Sequence, residues 1–140
     1  MTFKTNSILL IRAGDASRMA SGRQFDRHGI IRNQDYLLFP CDNIEEFMSE
    51  ISAEQEPQLI FTSHLEFGVF DSVKLARRIK EINQNAIVFA LTSSEVWRGN
   101  PDKLDGVIEN KFESAGTPHL VAEAFLSGQS RQQLIKIALG

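Results

Sequence analysis

Five short apolar runs punctuate this chain, and their spacing constrains the fold more than any other feature. They are Ser7–Ile11, Tyr36–Phe39, Leu59–Phe61, Ala86–Leu91 and Gly106–Ile108. None alternates polar with apolar residues as a half-exposed strand would, and each is too short for a buried helix. Such runs fit strands buried on both faces, as in a parallel sheet. The stretches between them carry helical signals. Ile44, Phe47, Met48 and Ile51 fall on one helical stripe behind a cap at Asp42 or Asn43. Leu75, Ala76, Ile79 and Ile82 make a second stripe in a helix opened by Asp71, with the charges opposite. Pro118–Phe125 reads as a final amphipathic helix. A thinner stripe, Ala16, Met19, Ala20 and Phe25, predicts a helix from an Asp15 cap to about His28, ended by Gly29 and weakened by Gly22.

Strands that alternate with helices require crossover connections, and these give a three-layer, doubly wound (βα)5 fold with a parallel five-stranded sheet. Ala86–Leu91 is the most apolar run, which predicts a central place in the sheet. The chain has 140 residues, which suits one core. The expected division is a domain over 1–127 followed by an apolar tail or helix extension over 128–140.

In sheets of this kind, ligands and reactive groups gather beyond the carboxyl ends of the strands. Those ends are Arg12-Ala13-Gly14, Pro40-Cys41, Thr62-Ser63-His64, Thr92-Ser93-Ser94 and Glu109-Asn110-Lys111. No Walker-type loop and no GxGxxG follows the first strand, which argues against nucleotide hydrolysis and Rossmann-type dinucleotide binding. Ser63 is not in a GxSxG elbow. His64 neighbours it in sequence, so on a strand the two side chains point to opposite faces and make a poor dyad. His28 and His119 have no evident partner. Divalent cations need converging carboxylates, and the first and third strands end instead in Arg12 and Ser63. No catalytic residue, metal or cofactor is expected.

Net charge is −3, which does not suggest a nucleic-acid or anionic membrane partner. Five arginines between Arg12 and Arg32 read as a solvated face. The single cysteine, Cys41, excludes an intrachain disulfide and fits a small buried filler in a reducing cytosol. The N-terminal apolar run is too short for a signal peptide or a membrane span.

The stretch PQLIFTSHLEFGVFDSVKLARRIKEINQNAIVFALTS resembles the receiver domain of two-component response regulators, a CheY-like, flavodoxin-like fold, and the likeness covers about residues 6–126. In receivers an apolar strand ends in the phosphorylated Asp, a Pro-Gly loop follows, and an Arg-rich helix leads to a strand ending in Thr or Ser. Laid without gaps from Pro57, the resemblance puts the phospho-acceptor position on Ser63, the loop glycine on Gly68 and the switch hydroxyl on Thr92. The acidic metal-binding pair falls on Arg12 and Ala13. The lysine after the fifth strand falls on Asn110, or on Lys111 after a one-residue shift. The segment from Thr92 to the fifth strand is about one turn shorter than a receiver's fourth helix.

The resemblance therefore implies a pseudo-receiver, with the receiver frame present and its acids replaced. A serine hydroxyl without an adjacent base is a poor nucleophile, and without the acidic pair no Mg²⁺ is held to stabilise phosphoryl transfer. The expected role is protein–protein interaction with a signalling partner in the cytoplasm, not enzymatic activity. The expected interaction surface comprises Val96, Trp97 and the tail residues Leu134, Ile135, Ile137 and Leu139, with a homodimer through the 92–112 face or the tail as one form of it. Docking of the tail on the chain itself is the other reading. A second function class is a sensor that binds a small anion around Arg12, Thr92 and Lys111. A hydrolase using Ser63 is the third and needs a base that the sequence does not supply.

Overall fold

The computed structural model describes residues 8–12, 37–40, 44–63, 72–92, 104–109 and 117–139. Five strands are present: β1 (Ile8–Arg12), β2 (Leu37–Pro40), β3 (Gln58–Ser63), β4 (Ala86–Thr92) and β5 (Gly106–Glu109). Among the described residues the helices are α1 (Ile44–Ser49), α2 (Ser72–Ile82), α3 (Thr117–Leu126) and α4 (Arg131–Leu139). All four strand pairings are parallel, in the order β2-β1-β3-β4-β5. The expected helix over 15–28 and the shortened region over 93–103 lie outside the described residues.

The unbroken apolar runs are explained by burial on both faces. Ile8, Leu10, Leu59, Phe61, Phe89 and Ile108 point to one face and share a core with Val121, Ala122 and Phe125 of α3 and Leu134 of α4. Leu9, Ile11, Ile60, Val88 and Ala90 point to the other and meet Phe47 and Met48 of α1 and Leu75, Ala76 and Ile79 of α2. The helical stripes read from the sequence face this core as expected, with Ile44 and Ile82 at its partly buried rim. Ring pairs sit on both faces: Phe61 stacks on Phe89 at 6.3 Å, and Phe39 meets Phe47 edge-on at 5.7 Å.

Two expectations are corrected. The central strand is β3, and β4 lies between it and the edge strand β5. Apolarity on both faces is required of any interior strand, so the run over 86–91 could not distinguish the centre from the next position. The tail over 128–140 contains a helix that packs on the chain itself. Leu134 has no exposed surface and belongs to the chain's own core, so it is not part of an open interaction surface. Ile135 and Ile137 are partly buried against that core, and Leu139 is 72% exposed. Among the described residues no helix is long and apolar enough to cross a membrane.

β5 enters the sheet through Asp105-Gly106. Gly106 pairs with Phe89 on β4, and a Cβ there would stand 3.0 Å from the Phe89 ring. Any larger residue there would press on the Phe89 ring, so glycine suits the close approach.

Candidate functional site

Parallel strands in register bring their carboxyl ends to one edge. Here β1 runs level with β3 through Ile11 opposite Thr62, so the next residues, Arg12 and Ser63, close neighbouring strands. Arg12 is also level with Pro40 on β2, Ser63 with Leu91 on β4, and Thr92 with Glu109 on β5. Across the sheet this edge reads Pro40, Arg12, Ser63, Thr92, Glu109. Chain order reverses between β1 and β3: β2 lies to one side of β1 and all later strands to the other. That reversal is the switch point where doubly wound folds place their crevice, and its two walls end in Arg12 and Ser63.

The charges of this row limit its chemistry. Glu109 is its one acidic residue, on the edge strand, two strand spacings or roughly 10 Å from Ser63. Among the described residues of this edge, it is the one carboxylate, and it stands apart from the β1–β3 switch point. Among the described residues no group of three or more His, Cys, Asp or Glu is arranged to hold a metal ion. The residue that ends β1 at the switch point is instead Arg12. Ala13, Asn110, Lys111, Val96 and Trp97 lie outside the described residues.

The opposite edge of the sheet holds a polar network that the sequence reading did not anticipate. Asp105 has a fully buried carboxylate. Its Oδ2 accepts the Val88 backbone N–H at 2.7 Å and the Lys80 ammonium at 2.9 Å, and its Oδ1 accepts the Arg131 guanidinium. One side chain thus joins β4, α2 and α4. Nearby, Gln58 accepts the Ser52 N–H at 2.8 Å and donates to the Glu50 carbonyl at 2.8 Å. The buried Asn83 amide donates to the Glu56 carbonyl at 2.7 Å, and its oxygen accepts the Asn85 N–H at 2.9 Å. Gln55, at φ 63°, adds bonds from its side chain to the Ile82 carbonyl and from the Gln84 N–H. A left-handed glutamine costs backbone energy, and these bonds offset it. The only local sequence signal for Asp105 is an Asp-Gly step entering a strand. Its partners lie 25 and 26 residues away, beyond the reach of local spacing rules.

No family model matches the chain, and no curated protein matches it. Solved structures do. The response regulator TrrA from Thermotoga maritima, determined with Mg²⁺-BeF, aligns at a TM-score of 0.59 and 15% identity, covering 84% of this chain and 98% of that one. The fold is receiver-like. A chain from the complex of the histidine kinase ThkA with TrrA aligns at a TM-score of 0.60 and 16% identity, covering 83% of this chain and 95% of that one. The isolated receiver domain of RcsB from Salmonella enterica serovar Typhimurium aligns at 0.55 and 13%, covering 92% and 99%. Identities this low speak to architecture alone. Within a receiver-like frame, the edge occupied by Arg12, Ser63 and Thr92 is the one at which the sequence resemblance places the phosphorylation site.

Proposed function

We propose that this chain is an atypical receiver that acts as a protein–protein interaction module in two-component-type signalling, without phosphorylation of an aspartate and without Mg²⁺. One observation carries the reading: the neighbouring carboxyl ends of β1 and β3, at the switch point, end in Arg12 and Ser63, where the resemblance calls for acids. Phosphoryl transfer to a receiver needs a carboxylate nucleophile and a cation to offset the developing charge. Serine and arginine as residue types meet neither need. An arginine in place of an acid at this position carries the wrong charge to recruit a cation, which fits a module that does not alternate with phosphorylation.

Neighbours solved as receivers, one of them with a histidine kinase, support a signalling protein as partner. Val96 and Trp97 are the residues proposed to meet it, directly or across a homodimer. A cytoplasmic setting fits the single Cys41. The test is incubation with acetyl phosphate and Mg²⁺ followed by intact-mass measurement. The unmodified chain is expected to keep its mass, and a stable phosphoryl adduct on any aspartate would overturn the reading. Capture of a signalling partner that Trp97→Ala loses would identify the surface.

A second reading rests on the same row of residues. Arg12, Ser63 and Thr92 are consecutive across three neighbouring strands, and with Lys111 they would suit a small anion. A thermal-shift series with inorganic phosphate and small dicarboxylates separates the two. A rise in Tm that Arg12→Ala abolishes favours the sensor, and no shift with any anion removes it.

A further inference from the structure

Asp105 stands just before the β4–β5 ladder, whose first rung is Phe89 with Gly106. Its own N–H donates to the Val88 carbonyl at 2.8 Å, and its carboxylate accepts the Val88 N–H at 2.7 Å. One residue thus holds both backbone polar groups of Val88. That position takes the whole carboxylate out of water. A buried carboxylate is costly unless a cation offsets it.

Two cations reach this one, and they come from opposite layers. Lys80 belongs to α2, which packs with Leu75, Ala76 and Ile79 on one face of the sheet. Arg131 belongs to α4, which packs with Leu134 and Ala138 on the other. Lys80 bonds Oδ2 at 2.9 Å and Arg131 bonds Oδ1, so they do not compete for one acceptor. Two positive charges on one negative charge exceed what neutralisation needs. If either cation is lost, the other and the Val88 N–H still compensate the carboxylate. The penalty of a bare buried charge arises only when both are gone. Repulsion between the two cations acts in the same direction, because losing either one relieves it.

We infer that Asp105 is an electrostatic junction that couples the two helix layers around the end of the sheet. Its two cations stand in for one another. Loss of either is tolerated, and loss of both is not. The energetic link between Lys80 of α2 and Arg131 of α4 runs through the carboxylate and does not exist without it.

A double-mutant cycle in urea on the full chain tests this. Lys80→Met and Arg131→Met remove the charges and keep aliphatic bulk. Together they are expected to raise the unfolding equilibrium constant roughly tenfold beyond the product of their single effects. In an Asp105→Asn background the same pair is expected to give that product within roughly threefold. If the double variant shows no cooperative transition, adding Asp105→Asn is expected to restore one. Single effects that multiply within roughly threefold in the Asp105 chain overturn the junction. So does a coupling that survives Asp105→Asn, or a triple variant that stays unfolded.

Discussion

The two ends of the sheet use polar residues in opposite ways. At the amino-terminal edge, Gln58, Asn83 and Asp105 are buried and bonded to other elements. At the carboxyl-terminal edge, Arg12, Ser63 and Thr92 end three neighbouring strands, the positions to which the proposed function assigns a receiver's acids and switch hydroxyl. The first set stabilises architecture. The second stands where the proposed function puts its site. Among the described residues, the side chains whose bonds tie this receiver-like frame together lie at the amino-terminal end.

The largest expected effect is at Asp105. Asp105→Ala leaves the Val88 N–H without its acceptor and removes the buried partner of Lys80 and Arg131. A loss of ~3–5 kcal/mol is expected in urea unfolding. A loss below that of an ordinary surface substitution would break the comparison at its strongest point. By contrast, the exposed Arg78–Glu45 pair, at 3.3 Å, contributes about 0–1 kcal/mol. Next comes Asn83→Ala, which removes the buried amide bonded to the Glu56 carbonyl and the Asn85 N–H and is expected to cost ~1–3 kcal/mol. Last is Ser63→Ala at the opposite edge. Its stability is expected to stay within about 0.5 kcal/mol of the unmodified chain. A larger loss would show that the carboxyl edge also carries architecture.

Much of the frame was legible in the sequence because its signals are local. Ile8–Ile11 and Leu59–Phe61 read as doubly buried strands and are fully buried. The 75, 76, 79 stripe read as the inner face of a helix and is. Strand order was less legible, since β3 and β4 are both apolar on two faces and only the crossovers decide which is central. Asp105 was not legible, because a carboxylate joined to Lys80, Val88 and Arg131 has no spacing signature. The tail showed apolar density, but its docking depended on a seat built by α3 and β5. At the candidate site, Arg12, Ser63 and Thr92 were found at strand ends by reading the apolar runs to their last residue. Their alignment in one row follows from the register, which no single run contains.

The most direct test of the account is to return the acids. Arg12→Asp, Ala13→Asp and Ser63→Asp together should confer Mg²⁺-dependent labelling by acetyl phosphate, seen as a phosphoryl adduct by intact mass, while the unmodified chain stays unlabelled under the same conditions. Labelling of the unmodified chain on an aspartate, or a folded triple variant that remains unlabelled, would contradict the claim that this edge is a receiver site with its reactive groups replaced.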